Sequence, residues 1–67
     1  RLCLDFNRIE DISSLHTLKG LRTLNLRGNL IMDVSPLSEL TELQNLSLKG
    51  NPVQDYSPVE FVKNLRR

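Results

Sequence analysis

The stretch LRTLNLRGNLI at residues 21–31 is followed, 22 residues further along the chain, by LQNLSLKGNPV at residues 43–53. Both stretches contain Leu-x-Leu, an asparagine three residues after the second leucine, and an aliphatic residue two residues after that asparagine. The alternation of apolar residues predicts a short strand with one buried face. The asparagine marks the point where the chain turns sharply away from the strand. The two stretches therefore predict the same strand and turn twice.

The 22-residue period extends over the whole chain. Leucine accounts for 14 of the 67 residues, whereas alanine and tryptophan are absent. The apolar positions in phase are Leu2, Leu24 and Leu46; Leu4, Leu26 and Leu48; Ile9, Ile31 and Val53; Ile12, Val34 and Tyr56; Leu15, Leu37 and Val59; Leu18, Leu40 and Val62; Leu21, Leu43 and Leu65. One cycle cannot bury its own apolar edge, but stacked cycles can. The period therefore predicts a stack of similar coils.

The second half of each cycle has a helical spacing. Val34, Leu37 and Leu40 lie three residues apart, which predicts a tight helical turn or a 3₁₀ segment. Ser35-Pro36 and Ser57-Pro58 supply a cap residue followed by proline at the first helical position. Each coil is thus predicted to be a strand, a turn, a short helical return and a connection to the next strand.

These residues resemble the leucine-rich repeat family, whose core pattern is LxxLxLxxNx(I/V). The repeat length and the segments DISSL, DVSPL and DYSPV, which begin at Asp11, Asp33 and Asp55, resemble the internalin-like subclass. The resemblance implies a right-handed α/β solenoid with short parallel strands on a concave face and 3₁₀ or irregular turns on the convex face. Such solenoids mostly bind other proteins. The subclass favours a secreted or cell-surface bacterial protein; repeats of this length in intracellular eukaryotic proteins leave a cytoplasmic location as the alternative.

The chain is expected to form a single domain over residues 1–67 with about three repeats. These are a partial first repeat (1–20), a second (21–42), and a third (43–67) that includes a C-terminal capping helix. The helix is predicted from the apolar stripe Val59, Val62 and Leu65, with charged residues on its other side. Ser57 and Glu60 match a capping box at its start.

The first strand begins without a preceding leucine or a polar cap. We interpret the chain as the C-terminal portion of a longer array. The uncapped N-terminal edge is expected to support self-association, because an unpaired strand edge is a template for another chain.

Asn7, Asn29 and Asn51 form the Asn ladder, and Asp11, Asp33 and Asp55 form the Asp ladder. The amides of the Asn ladder are expected to bond backbone groups of the turns. The aspartates, three carboxylates in stacked coils, raise the alternative of a calcium site, but they fall short of the six to eight oxygens that calcium takes. We expect each aspartate to accept local backbone N–H groups instead.

The candidate binding residues are those that the strand pattern leaves outward on the concave face. They are Arg1, Cys3, Asp5, Thr23, Asn25, Arg27, Asn45, Ser47 and Lys49. Equivalent positions of neighbouring strands lie close enough to interact, so Asp5 should face Arg27 and Arg27 should face Lys49. The face is polar and mildly basic, and Arg27 and Lys49 would favour a protein partner with an acidic surface.

Composition excludes several other functions. Nine Lys and Arg against eight Asp and Glu give a net charge of +1, which argues against a nucleic-acid binder. No apolar run is long enough to span a membrane. Cys3 and His16 form neither a zinc site nor a nucleophile with its base, and no glycine-rich phosphate loop is present. We therefore expect no enzyme activity and no cofactor.

The leading function is a protein–protein interaction module within a longer array. The alternative is a structural or capping scaffold segment without a ligand of its own. A third interpretation, glycan or cell-wall binding, is weakened because the concave face has no aromatic residue.

Overall fold

The computed structural model describes all 67 residues, and strands alternate with 3₁₀ helices along the chain. The strands are β1 (Leu2–Cys3), β2 (Thr23–Asn25), β3 (Asn45–Ser47) and β4 (Asn64–Arg66). The 3₁₀ helices are Ser13–Thr17, Ser35–Glu39 and Ser57–Val59. The strands form one parallel sheet in the order β1-β2-β3-β4, as expected for the right-handed solenoid. None of the helical segments is long and apolar enough to cross a membrane.

The register of the sheet aligns equivalent positions of successive coils. Leu24 of β2 pairs with Leu2 of β1 on one side and with Leu46 of β3 on the other. Because side chains of a strand alternate between two faces, this register directs the leucines of all three strands to the same side. The 22-residue period of the sequence therefore becomes a stack of coils in space.

The core lies between the sheet and the 3₁₀ helices as one cluster of twelve buried hydrophobic residues. Leu26 and Leu48 are completely buried in it, and Leu4 packs against it. Residues of the 3₁₀ helices, including Leu37 and Val59, close the core from the convex side. The predicted stacking of aliphatic side chains from successive coils is confirmed.

The Asn ladder links neighbouring coils through the backbone. Asn29 is almost fully buried, and its Oδ1 accepts a hydrogen bond from the Ile9 N–H at 3.1 Å. Its Nδ2 donates to the carbonyl oxygens of Leu4 at 3.0 Å and Leu26 at 2.9 Å. Nδ2 also makes a longer contact with the Arg27 carbonyl at 3.3 Å. One amide thus bonds four backbone groups of two coils, which confirms the predicted role.

The Asp ladder, and not the serines, caps the 3₁₀ helices. Ser35 is the first residue of its helix, whereas Val34 occupies the N-cap position and makes no side-chain cap. Asp33 Oδ1 accepts a hydrogen bond from the Ser35 N–H at 3.0 Å. The same bond recurs in the other two coils. The local role expected for the aspartates is confirmed, and the serine N-cap prediction is wrong.

The predicted C-terminal capping helix is also wrong. The last 3₁₀ helix ends at Val59, a turn follows, and residues Asn64–Arg66 form β4 instead. Leu65 of β4 pairs with Leu46 of β3, a step of 19 residues where the earlier steps are 22. The final connection between strands is therefore three residues shorter than the others.

Backbone pairing explains why a strand forms here. A spacing of three residues between Val59, Val62 and Leu65 fits a helix, but it also fits a 3₁₀ turn followed by an inward-facing strand residue. In the strand, the Leu48 N–H donates to the Arg66 carbonyl at 2.7 Å, and the Asn64 N–H donates to the Gln44 carbonyl at 2.9 Å. A helix would leave these groups of β3 as an open edge.

Candidate functional site

The outward side chains of the sheet surround one shallow depression of about 340 Å³, which we call the basic depression. Its lining residues are Arg1, Thr23, Asn25, Arg27, Asn45, Ser47, Lys49 and Arg66. Seven of the nine residues predicted for the concave face are in this set; Cys3 and Asp5 are not. The parallel register brings the seven together, because residues 22 positions apart lie on neighbouring strands and face the same side.

Arg66 is the lining residue that sequence reasoning missed. It lies on β4 in register with Ser47, whereas the predicted helix placed it away from the concave face. A signal was present: Asn64-Leu65-Arg66 resembles Asn45-Leu46-Ser47 at a distance of 19 residues. This spacing differs from the 22-residue period, so the period does not show the resemblance.

The basic depression carries four cationic side chains and no acidic one. Arg27 is paired with Asp5, which lies beside the depression. The other ion pairs of the chain, Lys19–Glu39 and Arg67–Glu60, lie elsewhere. Arg1, Lys49 and Arg66 therefore have no acidic partner within the chain.

The Asp5–Arg27 pair fixes one side of the depression. Asp5 Oδ1 accepts the Arg27 backbone N–H at 2.8 Å, and Oδ2 accepts the guanidinium Nε and Nη2 at 3.2 and 3.1 Å. Burial raises the pKa of Asp5, but the backbone and guanidinium hydrogen bonds and the charge of Arg27 outweigh it and lower the pKa below its ordinary value. The predicted contact between the two residues is confirmed, and it fixes the position of the Arg27 side chain.

A second row of polar side chains crosses the strands. Asn64 Nδ2 donates to Asn45 Oδ1 at 2.9 Å, and Asn45 Nδ2 donates to Thr23 Oγ1 at a longer 3.4 Å. These bonds hold the amides of β3 and β4 in the plane of the face. The polar groups of the depression are thus partly preorganised, which reduces the ordering cost of binding.

Phe6 and Gly28 form the edge of the face beside Arg27. Phe6 is 74% exposed, and its ring lies 5.5 Å from the Arg27 guanidinium carbon. Gly28 has a φ of +68°, and a Cβ there would lie only 2.5 Å from the Phe6 ring. The positive φ favours glycine at this position, and the Phe6 ring lies over it, although most of the ring remains exposed.

The side chains that could take part in catalysis or metal binding do not form a site. Cys3 and His16 are both exposed. His, Cys, Asp and Glu side chains form no group of three with the proximity needed to hold a metal ion.

We expect the stability of the fold to depend on pH through the Asp ladder. The backbone N–H and the hydroxyl of the serine two residues further on lower the pKa of Asp11, Asp33 and Asp55 below the ordinary value of 3.8, against a smaller opposing effect of burial. A carboxylate with a lowered folded-state pKa stabilises the fold above its unfolded pKa, and this contribution is lost as the pH falls through the folded value.

We therefore expect the urea midpoint to fall between about pH 7 and about pH 2.5, with most of the change below about pH 4. Asp33→Asn should make this dependence shallower, because an amide at this position does not titrate. Urea titrations of both chains across this range measure the effect. A midpoint that rises toward low pH, or an identical profile for both chains, would contradict the assignment.

Comparison with known proteins shows the family of this chain. Residues 1–39, more than half of the chain, match the family described as leucine rich repeats (2 copies). The crystal structure of internalin C2 from Listeria monocytogenes strain 4b F2365 aligns with 94% of this chain, with a TM-score of 0.81 and 35% sequence identity. The chain covers 28% of the internalin C2 chain. No curated protein sequence matches. The chain therefore belongs to the leucine-rich repeat family, and its repeats are of the internalin-like type.

Proposed function

We propose that the chain is a protein-interaction module that binds an acidic surface of another protein through its concave face. Leucine-rich repeat domains generally mediate protein–protein interactions and are typically not enzymes. The observation that carries the proposal is the basic depression, in which Arg1, Lys49 and Arg66 have no acidic partner within the chain. An acidic partner would supply the missing counter-charges.

Charge complementarity of this kind acts mainly on recognition and on the rate of association. The net charge of the chain is only +1, so attraction arises from the local grouping of cations and not from the molecule as a whole. Neighbouring strands are about 4.8 Å apart. Arg27 and Lys49, which follow β2 and β3, and Arg66 of β4 therefore lie within the reach of one acidic segment. Arg27, fixed by Asp5, provides a rigid contact, and Lys49 and Arg66 provide adaptable ones.

The size of the face limits the expected affinity. Four strands about 4.8 Å apart span only about 15 Å, whereas a stable interface buries about 800 Å² on each partner. The face has no Trp or Tyr, the residues that dominate binding hot spots together with Arg. We therefore expect this chain alone to bind weakly, with a strong dependence on salt.

The test uses a short fluorescein-labelled glutamate peptide as the acidic probe, with fluorescence anisotropy as the measurement. Lys49→Glu combined with Arg66→Glu should weaken binding about tenfold or more, because like charges then face the probe. Arg27 is left intact, since its loss would also free Asp5. Circular dichroism should show that the variant remains folded, because both side chains are exposed and unpaired.

The matched control is Arg8→Glu combined with Lys63→Glu, which makes the same change of net charge at exposed positions outside the depression. Neither side chain lines the depression, and salt at about 0.15 M weakens the effect of exposed charges outside it, so the control should retain binding within about twofold. Equal losses in both variants, or no binding by the unmodified chain, would contradict the proposal. Sedimentation velocity on the same samples separates partner binding from self-association through the open edge of β1.

The alternatives are less well supported. The hypothesis of a scaffold segment without a ligand does not explain why cations without counter-charges are grouped here. Under that hypothesis, neither double variant would affect binding. A glycan or cell-wall binder would use aromatic platforms, and the depression has none. The likeness to internalin C2 supports a secreted or surface location in a bacterium over a cytoplasmic one; fractionation of the source cells would distinguish the two.

A further inference from the structure

We propose that the basic depression contains a subsite for one compact dianionic oxyanion, a phosphate group carried by the protein partner, with Ser47 at its floor. The inference rests on the proposed function and names the group on the partner that the depression recognises. It is carried by two independent observations: a buried hydroxyl without a hydrogen-bond partner and a set of cations without counter-charges.

The hydroxyl of Ser47 is the first observation. Ser47 is 7% exposed, it lines the depression, and its Oγ is buried without a hydrogen-bond partner. No other buried side-chain nitrogen or oxygen of the chain is left unpaired. Buried polar groups in proteins are nearly always hydrogen-bonded, because leaving one unpaired costs free energy. A partner that arrives from outside the chain would account for this exception.

The cations around Ser47 are the second observation. Ser47 lies in register between Asn25 of β2 and Arg66 of β4. Lys49 follows two residues later on the same face, about 7 Å along the chain. Neither Lys49 nor Arg66 is in an ion pair. An anion above Ser47 would accept its O–H and lie between these two cations, with the Asn25 amide as a further donor.

The number of charges favours a phosphate over a carboxylate. A phosphorylated side chain carries about −1.5 to −2 charges at neutral pH and presents three acceptor oxygens. It can neutralise Lys49 and Arg66 and still accept from Ser47, whereas one carboxylate compensates a single cation. The hydroxyl is shielded from solvent in the unbound chain. Binding therefore requires a neighbouring side chain to move, and the exposed Arg66, in register with Ser47, is the candidate.

The depression is too small and too local for a long polyanion. Its volume is about 340 Å³, and the chain has no general excess of positive charge. A nucleic acid or a sulfated glycan would need cations distributed over a longer path, since its affinity comes from many phosphate or sulfate contacts. The geometry therefore points to a single group and not to a polymer.

The first arm of the test is a titration of the chain with inorganic phosphate at constant ionic strength, followed by ¹H–¹⁵N NMR. We expect saturable shifts at the amides of Ser47, Lys49 and Arg66. Ser47→Ala should weaken phosphate binding by about tenfold or more, as expected for the loss of a hydrogen bond to a charged group. Lys49→Gln should weaken it similarly, whereas Lys63→Gln, outside the depression, should not.

Thermal stability separates a binding role of Ser47 from a structural one. Ser47→Ala removes an unpaired buried hydroxyl and leaves a side chain of similar size, so its melting temperature should be equal to or higher than that of the unmodified chain. If the variant were less stable and bound phosphate normally, the hydroxyl would have a structural role and the inference would be wrong.

The second arm compares a phosphoserine peptide with its serine counterpart and with a glutamate peptide. The phosphoserine peptide should bind at least as tightly as free phosphate, and the serine peptide should not bind. Unsaturable shifts with phosphate, equal effects of all variants, or displacement only by a sulfated glycan such as heparin would overturn the inference. If phosphate fails but the glutamate peptide still depends on Lys49 and Arg66, only the phosphate subsite is wrong and the proposed function stands.

Discussion

Leu24→Ala is expected to lower the free energy of unfolding by about 2–5 kcal/mol. Leu24 is completely buried in the central part of the sheet, paired with Leu2 on one side and Leu46 on the other. Removal of its isobutyl group loses the transfer free energy of that group and leaves a cavity. Backbone hydrogen bonds fix the coils on both sides, so the stack cannot close the cavity easily.

This loss is large in relation to the whole fold. A domain of this length has a total stability of about 3–10 kcal/mol, at about 0.05–0.15 kcal/mol per residue. The substitution should therefore remove a large fraction of the total stability and shift the urea midpoint strongly downward. Urea titration followed by circular dichroism measures the difference. Leu30→Ala is the control, since Leu30 is 47% exposed and its replacement should cost much less; equal losses would contradict the placement of Leu24 in a shared core.

Asn29→Ala is expected to cost about 1–3 kcal/mol. The substitution leaves the Ile9 N–H without its acceptor. It also removes one donor each from the Leu4 and Leu26 carbonyls, which keep the amides of Asn7 and Asn51. The side chain is almost fully buried, so water cannot easily replace these bonds. The cost is therefore the desolvation penalty of the unpaired Ile9 N–H together with the loss of buried hydrogen bonds, and not the value of one exposed hydrogen bond.

Asn7→Ala is the matched control for this position. Asn7 belongs to the same ladder, but it is exposed and only donates to the carbonyls of Leu4 and Asp5. Water can take over these bonds, so the loss should be clearly smaller than for Asn29→Ala. If the two variants have the same urea midpoint, the ladder does not connect the coils in the way described.

The repeating part of the fold was predictable from sequence because each coil has the same environment. Leu24 and Asn29 have equivalents 22 residues before and after, and a stack gives equivalent residues equivalent neighbours. The face that contains Arg27 and Lys49 followed from the same argument, since outward positions of a strand alternate with buried ones. Sequence reasoning therefore found seven of the eight lining residues.

The last coil was not predictable in this way because its period changes. Three residues fewer connect β3 to β4 than connect the earlier strands, so Leu65 pairs with Leu46 and not with Leu43. An apolar spacing of three residues cannot distinguish a helix from a 3₁₀ turn followed by a strand. The backbone hydrogen bonds to the edge of β3 decide between them, and these bonds join residues that are far apart in the sequence. Arg66 was missed for this reason alone.

The burial of Ser47 depends on its neighbours in space, and a local sequence pattern does not show these. Ser47 is at an outward position of its strand, in register with Asn25, which is in turn in register with Cys3. A serine at an outward position of a solvated face is expected to be exposed. β4 gives Ser47 a neighbouring strand on its second side, where Arg66 lies in register with it. The unpaired hydroxyl therefore lies beside a strand that the 22-residue period does not predict.

The central claim is that parallel stacking aligns equivalent residues of successive coils and thereby assembles the concave face. Leucine methyl NOE spectra of the chain test it most directly. We expect contacts from Leu26 to both Leu4 and Leu48, with backbone contacts between Leu46 and Leu65. Absence of the Leu26 contacts, or continuous helical NOEs from Ser57 to Leu65, would contradict it.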